Sequence, residues 1–260
     1  MRTLSMLVGA TLIAMLSTAS SFADSGFQSV DFPTVGGIQV RADVYEAPNP
    51  AATLILLFHQ AGWSRGEYRE IAPKLVEAGY RVMAVDQRSG RSVNGVTNET
   101  HRRAVKKKLS TNYLNAHEDL KAALTYARKT LDAKRVIVWG SSYSASLVIR
   151  LAAEKPADVA AVMAFSPGEY FEKDKGSQYV SGLAKNVAQP LFVTSSKKER
   201  ELVKPIFDAS PAEKKILFTP ASKGQHGSRA LWSKWPDHDV YWTAVNGFLK
   251  EYAPAAPAAE

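Results

Sequence analysis

Short apolar runs alternate with amphipathic segments along most of the chain. Continuous apolar runs of strand length, bounded by turn residues, are typical of strands buried on both faces of a sheet. Such runs cover residues 53–58, 81–85, 135–139, 159–165, 191–194 and 215–218. Between them, helical spacing of apolar residues is clearest at 115–131, 143–154 and 240–249. Two more runs, 27–32 and 38–45, flank a Val-Gly-Gly turn and predict a leading hairpin.

This order predicts an α/β fold: one doubly wound, mostly parallel sheet with helices on both faces. We find no internal repeat and no interdomain linker, so residues 24–252 are predicted to form one domain. Ligands of such sheets bind at the carboxyl ends of the strands. Those ends are expected near residues 59, 86, 140, 166, 195 and 219.

The two ends of the chain are predicted to lie outside this domain. Met1-Arg2, an apolar run from Leu4 to Leu16 and Ser21-Phe22-Ala23 form the pattern of a secretory signal peptide covering residues 1–23. The apolar run is shorter than the ~18 residues that a membrane span needs, so we expect no anchor after cleavage. The mature protein is then periplasmic or secreted. Residues 253–260 are rich in Pro and Ala and are predicted to be disordered.

The amino-acid composition excludes several kinds of reactive site. The chain has 260 residues with 45% hydrophobic and 22% charged residues, which is ordinary for a soluble globular protein. It has no cysteine, which excludes disulfides, a thiolate nucleophile and cysteine zinc sites. No metal-ligand spacing is present, so we expect neither a metal nor another cofactor.

A candidate nucleophile lies between a predicted strand and a predicted helix. Gly140-x-Ser142-x-Ser144 is a variant of the G-x-S-x-G nucleophile elbow, with Ser144 in place of the second glycine. The sharp turn needs small residues two positions before and after the nucleophile, because strand and helix nearly touch there. The alternative is that Ser142 is only a helix N-cap.

A serine nucleophile requires a base, and the order of such triads is serine, acid, histidine. His226 follows the last predicted strand, which is where this order requires the base. His238 at the start of the last helix is expected to have a capping or surface role, and His117 is expected at the surface. His59 is expected to fix its own loop through hydrogen bonds.

Two residues compete for the acid. Glu199 follows the strand 191–194, which lies between the nucleophile and the histidine along the chain. Its alternative role is a glutamate at a helix start, favoured by the helix dipole. Glu169, after the preceding strand, is the other candidate acid.

The oxyanion hole requires two backbone N–H groups. The first is expected from Tyr143, directly after the nucleophile. The second is expected from the loop that follows Phe58, with Ala61 as the first choice and Gln60 as the second.

Several segments together resemble an α/β-hydrolase, close to the dienelactone-hydrolase-like serine esterases. They are His59-Gln60-Ala61-Gly62, Arg65-Gly66-Glu67-Tyr68, Asp86-Gln87-Arg88-Ser89-Gly90, the elbow at Ser142, and His226-Gly227. The resemblance covers residues 27–252. It implies an eight-stranded sheet whose second strand is antiparallel, and hydrolysis of esters or related acyl bonds. The chain departs from the usual pattern in having Gln60 and Ser144 instead of glycines, and a glutamate instead of an aspartate as acid.

Two features bear on the substrate. Only 24 residues separate Phe165 from Pro190, too few for a separate lid domain, so an open site is expected. The long segment 87–115 includes a cluster of six basic residues between positions 101 and 108, predicted as a solvated basic loop or, alternatively, as an attractant for anionic substrates or an acidic surface. These are His101, Arg102, Arg103, Lys106, Lys107 and Lys108. Nucleic-acid binding is not expected, because the cluster lacks interleaved aromatics.

The leading hypothesis is therefore an exported serine hydrolase that acts on small-molecule esters without a cofactor. A non-catalytic binding protein on a hydrolase fold is a competing hypothesis, motivated by the departure at Ser144. An acyltransferase, which would share the acyl-serine intermediate but exclude water, is a third.

Overall fold

The structure is a computed structural model and describes residues 26–256. The predicted signal peptide, residues 1–23, lies outside the described residues, as do residues 257–260. Export therefore stays a prediction. Within 26–256, no helix is both long and apolar enough to cross a bilayer.

The main sheet has eight strands in the order β1-β2-β4-β3-β7-β8-β9-β10. The first two strands are antiparallel to their neighbours, and all remaining pairs are parallel. The predicted fold is therefore confirmed, including the antiparallel second strand. The strands are β1 Gln28–Pro33, β2 Gln39–Tyr45, β3 Leu54–Phe58, β4 Arg81–Val85, β5 Ser92–Val93, β6 Val96–Thr97, β7 Val136–Ser141, β8 Ala161–Phe165, β9 Leu191–Thr194 and β10 Lys215–Phe218.

Helices cover both faces of this sheet. The α-helices are α1 Ile71–Glu77, α2 Glu99–Lys106, α3 His117–Lys129, α4 Tyr143–Glu154, α5 Glu172–Lys175, α6 Tyr179–Ala184, α7 Arg200–Ala209 and α8 His238–Tyr252. Side chains of α3, α4, α6 and α7 belong to one hydrophobic cluster, and those of α1 and α8 to the other. Short 3-10 turns occur at Arg65–Tyr68, Lys197–Glu199 and Ser228–Leu231.

The central strand β3 shows why the apolar runs are continuous. Leu54, Leu56 and Phe58 point into the first cluster, whereas Ile55 and Leu57 point into the second. Successive side chains of a strand alternate between its faces, and both faces are covered here. Every residue of β3 is therefore buried.

The segment between β8 and β9 contains only the two short helices α5 and α6, without a lid domain. The segment 87–115 differs from the predicted loop, because it folds into the small β5–β6 hairpin and helix α2. Asn98 is the N-cap of α2 and its side chain accepts a hydrogen bond from His101 N at 2.8 Å. This polar cap allows a largely basic segment to begin a helix.

The start of the predicted disordered tail also differs from expectation. Ala253 is buried, and its carbonyl accepts a hydrogen bond from the Tyr80 hydroxyl at 3.0 Å. Ala255 accepts another from Thr53 N, just before β3, at 2.7 Å. These contacts hold residues 253–255 against the domain.

Two predicted surface histidines have different environments. His117 is buried, contrary to the prediction, and its Nε2 lies 2.8 Å from Glu154 Oε2. His238 is the first residue of α8, and its Nδ1 lies 2.9 Å from the Trp235 carbonyl oxygen. The apolar periodicity of α3 did not predict the burial of His117, because it does not show that Glu154 of α4 lies against this side chain.

Candidate active site

Ser142 occupies a strained turn between β7 and α4. Its φ of 60° and ψ of −126° lie in a region that non-glycine residues rarely adopt. A Cβ atom added to Gly140 would lie 2.2 Å from Ser144 O, so only glycine fits there. The geometry has the strand, sharp turn and helix of a nucleophile elbow, as the sequence predicts.

Ser144 is small enough for the elbow, and its hydroxyl also forms two hydrogen bonds. Its hydroxyl donates to the carbonyl of His59 at 2.6 Å and accepts a hydrogen bond from Gln87 Nε2. The serine therefore ties the start of α4 to the loops after β3 and β4. This departure from glycine has a structural reason and does not disturb the elbow.

Glu199 and His226 form a hydrogen-bonded pair. His226 Nδ1 lies 2.6 Å from Glu199 Oε1. The other carboxylate oxygen, Oε2, accepts hydrogen bonds from Ser196 Oγ at 2.6 Å, Ser196 N at 3.1 Å and Ser166 Oγ at 3.1 Å. The structure thus brings the first-choice acid to the predicted base.

The electrostatics of this pair suit an orienting carboxylate. Burial alone would raise the pKa of Glu199, but the hydrogen bonds from His226 and Ser196 outweigh it and lower the pKa to about 2. The carboxylate is therefore ionised at neutral pH. It holds the proton of His226 on Nδ1, which leaves Nε2 as the acceptor nitrogen.

The loop after β10 that carries His226, here called the histidine loop, packs against the elbow. Gly227, next to His226, donates its N–H to Ser166 Oγ at 3.0 Å. A Cβ atom on Gly227 would lie 2.4 Å from Ser141 Oγ, and its φ is +71°. The residue after the base therefore contacts the residue before the nucleophile, an approach that only glycine permits.

Glu169, the alternative acid, has other partners. Its two carboxylate oxygens accept the backbone N–H groups of Val180 at 2.7 Å and Ser181 at 2.9 Å. Both donors belong to the first turn of α6, where a negative charge is favourable. Within residues 26–256, no hydrogen bond connects Glu169 to His226, so the structure does not support it as the acid.

In the loop that follows Phe58, here called the oxyanion loop, the two candidate N–H donors have different environments. The N–H of Gln60, the second choice, already donates to Glu67 Oε2 at 2.8 Å. The N–H groups of Ala61 and Tyr143 have no acceptor among the described residues. Ala61 and Tyr143, the predicted pair, therefore remain available to a substrate oxygen.

His59 anchors this loop, as predicted. Its Nδ1 lies 2.8 Å from the Gln60 carbonyl, and its Nε2 accepts a hydrogen bond from Gln87 N at 3.0 Å. Burial lowers the pKa of His59 to about 4, against hydrogen bonds that raise it. His59 is therefore neutral and fully committed to structure.

Sequence reasoning missed two side chains at the site. Ser166, at the end of β8, bridges Glu199 and Gly227 through its hydroxyl. Glu67 is fully buried and accepts a hydrogen bond from Ser141 Oγ at 2.7 Å. The position of Ser166 at a strand's carboxyl end was the available signal. Glu67 lies in a segment that carries the family resemblance, but nothing in that segment indicates a role for it at the site.

Two tyrosines, each 40% exposed, border the elbow. Tyr113 stacks on Tyr143 with ring centroids 4.4 Å apart. Tyr170 donates its hydroxyl to the carbonyl of Ser166 at 2.9 Å. Burial raises the pKa of Tyr170, and a hydrogen-bonding interaction with Ser142 lowers it in part. Aromatic surface is thus present beside Ser142.

Much of the basic segment is engaged with the protein itself. Arg103 binds Asp31 at 2.5 Å, Lys107 Nζ donates to the Gly37 carbonyl at 2.6 Å, and Arg102 pairs with Glu99 at 3.1 Å. The first two contacts attach α2 to the leading hairpin, and the third lies within α2. They favour a structural role for the segment over anion attraction. In the described part of the chain, no three His, Cys, Asp or Glu side chains cluster as metal ligands.

Solved structures with the same fold include several esterases. The esterase Pf2001 of Pyrococcus furiosus has a TM-score of 0.69 at 18% identity, over 87% of this chain and 93% of that chain. Dienelactone hydrolase of Anabaena variabilis has a TM-score of 0.64 at 17% identity, over 87% and 99%. Est1E of Butyrivibrio proteoclasticus, solved with ferulic acid bound, has a TM-score of 0.64 at 14% identity, over 86% and 98%. At these identities the likeness shows the fold.

No curated protein sequence matches the chain significantly. A family model does match, over residues 49–229, and it is described as "Serine aminopeptidase, S33". This range begins before β3 and extends past His226, so it includes every candidate site residue. The chain is therefore a hydrolase that belongs to the S33 serine aminopeptidase family of α/β hydrolases.

Proposed function

We propose that this α/β hydrolase is an exported serine hydrolase that cleaves small carboxylic esters, or related acyl bonds, through an acyl-serine intermediate. The observation that carries the proposal is the 2.6 Å contact between Glu199 and His226 on a loop packed against the Ser142 elbow. The nucleophile Ser142, the orienting acid Glu199 and the base His226 then follow one another along the chain in the order that this fold uses.

The proposed reaction begins when His226 Nε2 accepts the proton of Ser142 Oγ, and Oγ attacks the acyl carbon. The N–H groups of Tyr143 and Ala61 hold the negative oxygen of the tetrahedral intermediate. The bond to the leaving alkoxide breaks as His226 returns the proton to it, which leaves an acyl-serine. Water then attacks the acyl carbon by the same steps, which releases the acid and restores Ser142.

Two features support small esters as the substrate class. The chain between β8 and β9 forms only the short helices α5 and α6, so this segment supplies no lid domain over Ser142. The exposed rings of Tyr113 and Tyr170 offer apolar surface for an acyl or alkyl group.

The competing hypotheses make different predictions. The binding-protein hypothesis was motivated by Ser144 in place of the second elbow glycine. The hydrogen bonds of Ser144 give that difference a structural reason, so it no longer argues against catalysis. An acyltransferase would need an acceptor alcohol or amine for turnover. Release of acid from p-nitrophenyl acetate in plain buffer therefore distinguishes hydrolysis from transfer, and an alanine p-nitroanilide tests aminopeptidase activity.

Labelling with a fluorophosphonate probe tests the nucleophile. The wild type and the matched control Ser92→Ala, an exposed serine on β5, should both be labelled. Ser142→Ala should not be labelled and should lose about 10⁵–10⁶-fold in kcat. Labelling that persists in Ser142→Ala would reject the nucleophile, and an unlabelled but folded wild type would favour a binding protein.

Export has a separate test, because it depends only on the first 23 residues. Expression of the full chain in a Gram-negative host should yield a periplasmic protein whose N-terminus is Asp24 by mass spectrometry. A cytosolic protein that retains Met1 would reject the signal peptide without affecting the proposed reaction.

A further inference from the structure

A second buried carboxylate lies beneath the proposed active site. Glu67 belongs to the 3-10 turn Arg65–Tyr68, and its side chain is fully buried. Oε2 accepts the N–H of Gln60 at 2.8 Å, and Oε1 accepts the hydroxyl of Ser141 at 2.7 Å. One carboxylate thus binds the residue before Ala61 and the residue before Ser142.

The hydrogen bonds continue into the histidine loop. Ser141 Oγ, while donating to Glu67, accepts the N–H of Ser228 at 2.9 Å. Ser228 Oγ in turn accepts the indole N–H of Trp139 at 2.8 Å. The backbone oxygen of Glu67 accepts Trp232 Nε1 at 2.9 Å. Three loops that carry the oxyanion donor, the nucleophile and the base therefore meet at Glu67.

We propose that Glu67 is a positioning residue whose ionised carboxylate holds the oxyanion loop and the histidine loop in register with Ser142. The proposal rests on the proposed function, because it assigns Glu67 a part in that reaction. Glu67 itself has no contact with Ser142 or His226 among its hydrogen bonds. Its effect is transmitted through Gln60 and Ser141.

The ionisation state matters because the two hydrogen bonds need two acceptors. A carboxylate accepts from both Gln60 N–H and Ser141 O–H, whereas a protonated carboxyl group has a donor on one oxygen. Protonation at Oε1 would face the Ser141 hydroxyl with another donor. Ser141 would then have to turn its own proton away, which disturbs the hydrogen bond to Ser228.

The surroundings of Glu67 place this change near neutral pH. Burial raises its pKa to about 7, although the hydrogen bonds from Gln60 and Ser141 and the charge of Arg229 lower it in part. The titratable and charged groups nearby are Tyr68 on the same turn, Arg229 on the histidine loop, and neutral His59 beside Gln60. Arg229 forms no ion pair with Glu67 within the described residues.

The pH dependence of kcat/KM, measured with a neutral ester between pH 5 and 9, tests the proposal. Protonation of the histidine base alone gives an acid limb with a slope of about 1 on logarithmic axes. Wild type should exceed that slope, because Glu67 must be ionised too. Glu67→Gln resembles the protonated form, so its limb should have a slope of about 1 and its kcat at pH 8 should fall about 10–100-fold.

The controls separate positioning from general destabilisation. Glu77→Gln changes an exposed glutamate on α1 and should reproduce the wild-type profile. Ser141→Ala retains the charge of Glu67 but removes a hydrogen bond that lowers its pKa, so its acid limb should move to higher pH. Ser141→Ala also serves if Glu67→Gln does not fold.

Each result has a definite meaning. A folded Glu67→Gln with the wild-type pH profile overturns the inference, even if its kcat is lower, and so does an unshifted acid limb in Ser141→Ala. If the fluorophosphonate probe labels wild type but the profiles do not respond, only this inference fails. If wild type is not labelled at all, the proposed function fails first.

Discussion

The same short pattern, Ser-x-x-Glu, occurs at two places that meet the active site, and the two copies behave differently. At Ser196-x-x-Glu199 the serine and the glutamate form a complete capping box. At Ser64-x-x-Glu67 the serine accepts a hydrogen bond from Gly66 N at 3.2 Å, but the glutamate turns away into the interior. The two serine–glutamate pairs have the same spacing, so the different orientation of each glutamate depends on the residues around it.

The two glutamates consequently have opposite pKa shifts. Glu199 accepts hydrogen bonds from four donor atoms, which lower its pKa to about 2 against the effect of burial. Glu67 accepts hydrogen bonds from Gln60 N and Ser141 Oγ, with a smaller contribution from the backbone of Arg229. It is more deeply buried, and its pKa is raised to about 7. The balance between desolvation and donors to the charged form decides the direction.

Among the glutamates, the largest expected effect comes from removing the charge of Glu199. Glu199→Gln can no longer hold the His226 proton on Nδ1 as a carboxylate does, so kcat should fall about 10³–10⁴-fold, as in serine proteases that lose the orienting acid. Ester turnover at pH 8 measures this fall. The control is Glu201→Gln, whose carboxyl is 83% exposed two residues away and should leave turnover unchanged. A loss below about 10-fold in Glu199→Gln would assign Glu199 to capping alone.

The sequence predicted most of the fold, for a physical reason that β3 and β7 illustrate. Both are buried on two faces, so each appears in the sequence as a continuous apolar run of strand length, which predicts a central strand. The elbow was predictable because a sharp turn between strand and helix needs Gly140. Helix α2 was missed because its exposed, basic surface has no apolar periodicity, and its attachment depends on the distant Asp31.

The site was only partly predictable from the sequence. Chain order was enough to select Ser142 and His226 as candidates and to reduce the acid to Glu199 or Glu169, because each follows a recognisable strand. The structure then places Glu199 beside His226. Glu67 could not be found this way, since its partner Ser141 lies 74 residues further along the chain. A local pattern describes a residue's nearest neighbours, whereas the role of Glu67 is defined by loops that meet only after folding.

The pH dependence of the free energy of unfolding should also distinguish Glu67 from Glu199. Glu67 has a raised folded-state pKa, so its stabilising contribution is present below about pH 4.5 and is lost as the pH rises to about 7. The free energy of unfolding of wild type should therefore fall relative to Glu67→Gln by about 1–3 kcal/mol across this range. Urea unfolding of both proteins at pH 5, 6, 7 and 8 measures the difference.

Glu199 should show the reverse dependence. Its folded-state pKa is lowered, so its contribution is present above about pH 4.5 and is lost as the pH falls toward about 2. Relative to Glu199→Gln, wild type should lose about 1–2 kcal/mol between pH 5 and pH 3, a figure reduced for partial solvent screening. Parallel curves for wild type and both variants would contradict the assigned environments.

The smallest effect is expected at Glu169, a third glutamate near the site whose charge serves only a helix. Its carboxylate accepts two N–H groups at the start of α6, and Glu169→Gln retains one acceptor oxygen for them. The free energy of unfolding should fall by about 0.5–1 kcal/mol, as for a weakened helix cap. Ester turnover should stay within about two-fold of wild type, because a surface change away from the reacting groups leaves the pair of Glu199 and His226 intact. Thermal unfolding and initial rates on the same preparation measure both quantities. A large loss of kcat with unchanged stability would mean that Glu169 reaches the histidine during turnover, and the contrast between Glu199 and Glu67 would then have to include a third carboxylate.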